Sequence, residues 1–290
     1  MSLYRHQKEA VEFAIRNRGF CALFHDPGLG KTRTGLEVFS YYKKQKPDLR
    51  LLVVCPLSLI NSAWGEDIKK FTGFSSAPFK ELKKLKTVPD IVIINYEALI
   101  SKKNLPVIEQ LISRFPFMCI LDESSRLKNN KSITTKTLLN LSEYFRYRLV
   151  ASGTPMPNSE VELWGQMNFV YPELLYKSFY KFRNTYFHLE RNGIMRQGSA
   201  YMSKDELREI FSEGWKYAIT DENRKYLMNE IQPFTHWVKK EDALDLPEKI
   251  DEVREVILSA PERKAYKEMA EMLITEIDGV EVTAQIVLTK

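Results

Sequence analysis

The stretch that decides the fold is His25-Asp26-Pro27-Gly28-Leu29-Gly30-Lys31-Thr32. It follows an apolar run at residues 20–24 and precedes a segment that carries Leu36 and Phe39. Glycines in such a loop let backbone N–H groups turn toward phosphate oxygens, the lysine reaches the outer phosphates, and the hydroxyl helps to hold Mg²⁺. The pattern therefore predicts a strand, a phosphate-binding loop and a helix in succession. The generic form of this loop begins with glycine, whereas this chain has histidine at position 25.

Short β-rich runs alternate with amphipathic stretches through the first half of the chain. Strands that alternate with helices form a parallel sheet with helices on both faces. The runs interpreted as buried strands are residues 19–24, 51–55, 91–95, 117–121 and 147–151. The sequence thus predicts an α/β fold.

The character of the sequence changes near Asn158, after which it is rich in aromatic residues and predicted to be mainly helical. Ser259 and Glu262, with a proline at 261, form a capping box ahead of a charged helix. No Gly/Ser linker separates the two parts, so we expect the second part to pack on the first.

Two carboxylates follow the fourth apolar run, in the stretch Ile120-Leu121-Asp122-Glu123-Ser124-Ser125. An Asp at the end of a strand holds Mg²⁺, and a Glu beside it polarises the attacking water in phosphoryl transfer. An Asp-Glu pair after a strand is also a common turn signal. Its place in the same predicted sheet as the phosphate loop favours the catalytic interpretation.

The composition sets outer limits on the class of protein. With 290 residues, 44% hydrophobic and 28% charged, the chain is globular and neither disordered nor fibrous. The formal net charge of +5 fits a nucleic-acid partner and an ordinary solvated surface equally well.

Cys21, Cys55 and Cys119 lie far apart in apolar runs, which predicts buried thiols and neither disulfides nor a zinc site. No stretch is long and uncharged enough to cross a bilayer, so we expect no membrane partner and a cytoplasmic protein, or a nuclear one in a eukaryote.

The motifs and their order resemble those of superfamily 2 helicases of the SNF2 branch. The resemblance is close over residues 3–158. Leu3-Tyr4-Arg5-His6-Gln7 is similar to the adenine-recognising Q motif, residues 25–32 to motif I, 53–60 to motif Ia, 94–97 to motif Ib, 122–125 to motif II, and 151–158 to motif III.

The resemblance implies ATP and Mg²⁺ as cofactors, with catalytic roles for Lys31, Asp122 and Glu123. It implies that Gln7 contacts the adenine edge and that Thr32 and Asp122 hold the metal. The full set of nucleotide-binding residues that it implies is Tyr4, Arg5, Gln7, Pro27, Gly28, Leu29, Gly30, Lys31, Thr32 and Arg33.

The resemblance also implies a DNA-tracking face and a relay from the ATP site. The implied DNA-binding residues are Pro56, Leu57, Ser58, Asn95 and Tyr96, and the implied coupling residues are Ser125, Gly153 and Thr154. Ser125 stands where histidine is usual in this branch. That histidine commonly links the ATP site to motif III, so the sequence departs from the family pattern at this link. Trp64 is interpreted as a core anchor and not as a DNA contact.

The resemblance divides the chain into three parts: a RecA-like ATP-binding domain at 1–158, a mainly helical SNF2-type protrusion at 159–241, and a linker with the start of a second motor domain at 242–290. The second RecA-like domain, which supplies arginine fingers, is expected as a partner from the same full-length protein. We therefore expect very weak ATP hydrolysis by this chain alone. The compact protrusion favours a phage or bacterial translocase over a chromatin remodeller.

The sequence thus predicts the ATP-binding half of an SNF2-like, ATP-dependent translocase on double-stranded DNA, a hydrolase of the helicase superfamily. One alternative is a translocating subunit of a restriction system. Another is a module that binds nucleotide or DNA without turnover as an isolated chain. A phosphate-loop switch unrelated to nucleic acid would leave motifs Ia, Ib and III unexplained.

Overall fold

The apolar runs form a seven-stranded sheet in which all the strand pairs described are parallel. The computed structural model describes residues 2–196, 204–243, 256–272, 274–277 and 280–283. All five predicted strands are confirmed to within one residue at each end. The strands of the described residues are β1 (Phe20–His25), β2 (Arg50–Cys55), β3 (Ser76–Pro78), β4 (Ile91–Asn95), β5 (Phe117–Asp122), β6 (Tyr147–Ser152), β7 (Phe187–Arg191), β8 (Ile194–Arg196), β9 (Lys216–Ile219), β10 (Thr235–Val238), β11 (Ile274–Ile277) and β12 (Val280–Thr283).

Helices connect the strands and cover both faces of the sheet, as parallel strands require. The helices of the described residues are α1 (Arg5–Arg16), α2 (Lys31–Gln45), α3 (Glu66–Phe71), α4 (Tyr96–Leu99), α5 (Leu105–Arg114), α6 (Ile133–Ser142), α7 (Leu163–Val170), α8 (Phe179–Tyr186), α9 (Lys204–Ser212), α10 (Asp221–Ile231), α11 (Lys240–Ala243) and α12 (Ala260–Met272). A π-helical segment lies at Ile60–Gly65, and 3₁₀-helical segments lie at Phe79–Lys84, Ser124–Leu127, Glu160–Glu162 and Gln232–Phe234.

The sheet runs in the order β10-β1-β6-β5-β2-β4-β3 and separates two apolar cores. Successive side chains of a strand point to opposite faces. On β5, Phe117, Cys119 and Leu121 enter one core, while Met118 and Ile120 enter the other. A strand buried on both faces has no polar alternation, which is why the sequence shows β5 as a continuous apolar run.

The segment after Asn158 packs on the first part, as expected. Phe169, Phe182 and Leu227 are buried in the same core as Phe117 and Leu121. This segment also contains an antiparallel sheet in the order β8-β7-β9, which the sequence did not predict. Strand β10, from the same segment, pairs in parallel with β1 and extends the main sheet.

The chain divides into two compact units, Met1–Asp245 and Leu246–Lys290. In the second unit, α12 begins after the predicted capping box, where Ser259 and Glu262 are hydrogen-bonded at 2.7 Å. Strands β11 and β12 pair antiparallel in the same unit. The three predicted domain boundaries remain predictions. Across the part of the chain that the structure describes, no helix has both the length and the hydropathy to cross a bilayer.

The three cysteines are free and buried, each on a strand of the main sheet. Burial raises the pKa of the Cys55 thiol to about 12 and also raises those of Cys21 and Cys119. Since the thiolate is the reactive form, we expect none of the three to react with Ellman's reagent in the folded chain at pH 8. All three should react once urea has unfolded it. Rapid labelling of any thiol in the folded chain would contradict this burial.

Candidate functional site

The phosphate loop, residues 26–30 between β1 and α2, leaves open space beside Gly28. Gly28 and Gly30 have φ angles of +88° and +74°, the left-handed region that glycine favours. A Cβ on Gly28 would meet no atom within 4 Å. Helix α2 begins at Lys31, and its unpaired N–H groups and dipole favour an anion at this end. The loop therefore has the shape and polarity of a phosphate cradle.

The amine of Lys31 lies within this turn. Its Nζ donates to the carbonyl oxygens of His25 at 2.9 Å and Asp26 at 3.4 Å. Its positive charge also acts on two carboxylates, since it lowers the pKa of Asp122 and of Glu123 against the effect of burial. The three predicted catalytic residues thus converge at the carboxyl edge of the sheet.

Asp122 ends β5 and is 5% exposed. Trp64 Nε1 donates to its Oδ2 at 2.9 Å, and the backbone N–H of Glu123 donates to its Oδ1 at 3.1 Å. Burial raises the pKa of Asp122, while the Trp64 bond and the Lys31 charge act in the opposite direction. Trp64 is a core residue, as predicted, but its link to this carboxylate was missed. A tryptophan N–H needs a partner when buried, and the sequence does not reveal which one.

Glu123 has a φ of +52°, which costs a non-glycine residue about 1 kcal/mol or more. Burial and the nearby charge of Asp122 raise its pKa. The Ser152 hydroxyl acts on this carboxylate in the opposite direction and lowers its pKa. The Ser152 oxygen in turn accepts from the backbone N–H of Thr154 at 3.2 Å. Ser152, which the sequence did not single out, therefore joins the water-activating candidate to the predicted coupling residue.

A cavity of about 320 Å³ opens beside the phosphate loop. The residues lining it are Ser2, Tyr4, His6, Gln7, Gly28, Leu29, Gly30, Arg33, Asp67 and Phe71. Six of these were predicted as nucleotide-binding residues, whereas Ser2, His6, Asp67 and Phe71 were not. His6 and Gln7 each bond the carbonyl oxygen of Leu29, at 3.0 and 3.2 Å. The helix carrying Gln7 is therefore fixed to the loop.

The predicted adenine contact of Gln7 stays a prediction, and the amide has capacity for it. Its Nε2 donates to Leu29 and its Oε1 accepts from the Tyr4 N–H at 3.1 Å. An amide has two donor hydrogens and two lone pairs, so one of each is left for a ligand. Arg5 does not line the cavity, since its side chain is exposed and paired with Glu9 at 2.9 Å.

Arg33 is held at the cavity wall by three contacts. Its guanidinium lies 4.2 Å from the centre of the Phe71 ring, donates to the Phe71 carbonyl oxygen at 3.2 Å, and pairs with Glu37. Arg33 thus links α2 to the end of α3.

The predicted DNA face lies at the carboxyl ends of β2 and β4. Leu57 is 69% exposed, and Pro56 and Ser58 flank it in the same loop. Leu57 and Asn95 line a second cavity, of about 300 Å³. Three lysines, Lys80, Lys83 and Lys103, line it as well.

Tyr96 does not lie on this face, contrary to the prediction. Its side chain is 2% exposed, and its hydroxyl donates to the carbonyl oxygen of Asp122 at 2.8 Å. A phenol with a satisfied hydroxyl is more stable in the apolar core than at the surface. This bond from the core helps to hold in place the carboxylate loop, which comprises residues 122–127.

Gly153 brings the motif III loop against the phosphate loop. A Cβ at this position would lie 2.9 Å from Cδ of Pro27, closer than side chains tolerate. The predicted coupling residue Gly153 thus permits a direct contact between two loops. Ser125 makes no side-chain hydrogen bond within the described residues.

Thr32 and Asp122 fit a magnesium ion bound together with a nucleotide. Mg²⁺ is usually held by one or two carboxylates, a hydroxyl and phosphate oxygens. In the described part of the chain, no group of three or more His, Cys, Asp or Glu side chains could hold a metal on its own.

The chain is similar in sequence to known proteins. A family model described as "SNF2-related domain" matches residues 6–289. The "SWI/SNF-related matrix-associated actin-dependent regulator of chromatin subfamily A-like protein 1 homolog" of Caenorhabditis elegans is 28% identical over 209 residues, covering 72% of this chain and 30% of that protein. The "Transcription regulatory protein SNF2" of Saccharomyces cerevisiae is 28% identical over 262 residues, covering 85% of this chain and 14% of that protein. The chain thus spans less than a third of either relative.

Two solved structures share the fold. The "Sulfolobus solfataricus SWI2/SNF2 ATPase core domain" has a TM-score of 0.61 at 26% identity, covering 97% of this chain and 53% of that chain. The same core "in complex with dsDNA" has a TM-score of 0.61 at 24% identity, covering 83% and 45%. The predicted RecA-like fold is confirmed. These relatives are eukaryotic and archaeal, so the expected phage or bacterial source is not supported.

His25, at the position where the generic loop has glycine, is buried and pairs with His236 of β10. His25 Nε2 and His236 Nδ1 are 2.9 Å apart. Burial lowers the pKa of His25 to about 3, and the charges of His236, Lys31 and His6 act in the same direction. Burial also lowers the pKa of His236. The neutral pair ties the phosphate loop to the edge strand.

We expect the fold to lose stability as the pH falls below 6.5, the ordinary pKa of histidine. Between pH 6.5 and about 3 the unfolded chain binds a proton at His25 that the folded chain does not, so stability rises with pH in this window. The loss at this group from pH 7 to pH 5 is about 2 kcal/mol. Urea unfolding at the two pH values measures it, and His25→Gln should reduce the difference.

His188→Gln provides the control, because His188 is also a buried histidine but lies on β7, away from the loop. An unchanged pH dependence in His25→Gln, or an equal change in both variants, would show that His25 is not the group responsible.

Proposed function

The chain belongs to the SNF2-related domain family, and we propose that it is the ATP-binding half of a motor that moves along double-stranded DNA. The observation that carries the proposal is the convergence of Lys31, Asp122 and Glu123 beside a phosphate-shaped loop. ATP hydrolysis needs phosphate binding, a metal-holding carboxylate and a group that orients water. All three lie at one edge of one sheet.

Each catalytic residue has a separate role in the proposed hydrolysis of ATP. Lys31 and the N–H groups at the start of α2 bind the phosphates of ATP. Thr32 and Asp122 hold Mg²⁺, which neutralises phosphate charge when bound. Glu123 orients the attacking water and accepts its proton, a role favoured by the raised pKa of this carboxyl. The cavity lined by Tyr4 and Gln7 receives the adenine.

The DNA surface follows the loops after β2 and β4. Pro56, Leu57, Ser58 and Asn95 lie there, and Lys80, Lys83 and Lys103 line the adjoining cavity. A solved structure with the same fold is an SWI2/SNF2 ATPase core in complex with dsDNA. Lysines contact phosphates without regard to base sequence, so this binding should weaken steeply with salt. A second RecA-like domain supplies the remaining DNA contacts and the arginine finger.

The nucleotide state reaches the DNA face through hydrogen bonds that meet at the carboxylates. The Ser152 hydroxyl accepts from the Thr154 N–H and acts on the Glu123 carboxylate, and Gly153 packs on Pro27 of the phosphate loop. The alternative of a binding module without turnover is disfavoured because the lysine and both carboxylates are present and close together.

Lys31→Ala tests the proposed function in the full-length protein that carries this chain. It removes the charge that meets the phosphates, so DNA-stimulated ATP hydrolysis should fall by on the order of 100-fold or more. Lys44→Ala, an exposed lysine on the same helix, is the matched control and should retain the rate. Steady-state hydrolysis with and without duplex DNA is the measurement. Full activity in Lys31→Ala would overturn the assignment.

Trp64→Phe tests whether the tryptophan sets the charge of Asp122. Losing the N–H donor raises the pKa of Asp122 further, so the acid limb of the pH–rate profile should move to higher pH. Removing such a supporting bond should lower the maximal rate roughly 10- to 100-fold.

Trp164→Phe is the control for this substitution, since Trp164 is also buried and donates to a backbone carbonyl, that of Tyr176 at 3.0 Å. It should leave the acid limb in place. If the acid limb does not move in Trp64→Phe, or moves equally in both variants, the bond from Trp64 does not set the pKa of Asp122.

A further inference from the structure

A buried side-chain bridge joins the carboxylate loop to the motif III loop by a route separate from Ser152. The Ser124 hydroxyl donates to Gln166 Oε1 at 2.7 Å. Gln166 Nε2 donates to the carbonyl oxygen of Pro155 at 2.5 Å. Ser124 and Gln166 have no exposed surface. Ser124 directly follows Glu123, and Pro155 directly follows Thr154, so the bridge connects the neighbours of two proposed functional residues.

The helix that carries Gln166 is fixed against the carboxylate loop by its neighbour. A Cβ on Gly165 would collide with the carbonyl oxygen of Leu127 and lie 3.2 Å from the Leu127 side chain. Only a glycine lets α7 approach the Ser124–Leu127 turn this closely. Gln166 also donates to the Glu162 carbonyl oxygen at 3.2 Å within its own helix. Its amide therefore has little freedom to leave the bridge.

Stability alone does not account for a polar pair in this place. A hydrogen bond between two buried side chains contributes about 1 kcal/mol net, and two apolar residues of similar shape serve the fold nearly as well. A hydrogen-bonded polar pair, by contrast, requires a particular orientation of its side chains and so holds two particular backbone segments in register. Ser125, the residue expected to couple the two loops, makes no side-chain hydrogen bond within the described residues.

We propose that Gln166 is a positioning residue that couples the carboxylate loop to the motif III loop, with Ser124 as its partner. This inference rests on the proposed ATP-driven motor. When nucleotide binding shifts the Glu123 loop, Ser124 moves Gln166, and Gln166 moves Pro155 and its loop. Without the bridge, ATP still binds at the phosphate loop, but DNA binding no longer sets the Glu123 loop for hydrolysis.

The test compares Ser124→Ala, Gln166→Leu and the double variant in the full-length protein. Each single variant should reduce the stimulation of kcat by duplex DNA at least about fivefold, with the Kd for ATP changed less than about twofold. Each single variant also strands a buried polar group and loses stability. The double variant removes both partners of the Ser124–Gln166 bond but leaves the Pro155 carbonyl without its donor. It should therefore regain part of the stability lost in Gln166→Leu but none of the stimulation.

Asn168→Leu is the matched control. Asn168 is a buried amide on the same helix, two positions on, and it donates to the carbonyl oxygens of Trp164 and Tyr176. These bonds reach neither loop, so DNA stimulation should be preserved. Stimulation that recovers with stability in the double variant, or that falls equally in Asn168→Leu, would overturn the coupling role of Gln166.

Hydrogen exchange on ATP addition separates this inference from the motor proposal. In the wild-type protein, ATP should slow exchange at residues 122–127 and also at 152–156, whereas in Gln166→Leu it should slow exchange at 122–127 only. That difference supports the bridge even if duplex DNA fails to stimulate the wild-type protein, a result that overturns the motor proposal alone. Equal slowing of both segments in both proteins would overturn the bridge.

Discussion

The parallel pairing of β1, β6 and β5 is the constraint on which the candidate site depends. Parallel strands end at the same edge of a sheet, and the registers here bring three ends level: Phe24 lies opposite Ser152, and Asp122 lies opposite Ala151. The phosphate loop, the carboxylates and the motif III loop begin where these strands stop. Ligands of open α/β sheets bind outside the carboxyl ends of the strands, and the geometry of this site follows that rule.

The fold shifts the pKa values of several ionisable side chains at the site and holds one of these residues in an unfavourable backbone conformation. Asp122 and Glu123 have raised pKa values, His25 is kept neutral, and Glu123 adopts a left-handed backbone. Such groups persist only where the surrounding structure enforces them, and they concentrate at functional sites. Here the enforcing elements are the packed strands below the edge and the bonds from Trp64 and Tyr96.

The segments after β2 and β4 contribute residues both to the proposed DNA surface and to the hydrogen bonds around Asp122. Leu57 and Asn95 face the proposed DNA path, while Trp64 and Tyr96, a few residues away, bond Asp122 from within the core. Helix α7, from the segment expected to form a protrusion packed on the first part, reaches the carboxylate loop through the close approach at Gly165. The site is therefore assembled from residues before and after Asn158.

The sequence by itself determined the five apolar strands, the phosphate loop and the two carboxylates, because local features set them: continuous apolar runs, glycines and strand-end charges. It also placed Trp64 in the core. It missed strand β10, the antiparallel sheet at β7 to β9, and the buried position of Tyr96. It singled out Ser125 for coupling, which stays a prediction, and it missed the buried hydrogen bonds of Ser124 and Gln166. These features depend on which distant residue satisfies a buried donor or acceptor. Only tertiary packing decides that, because the sequence offers many possible hydrogen-bond partners for each polar side chain and does not show which of them lies nearby.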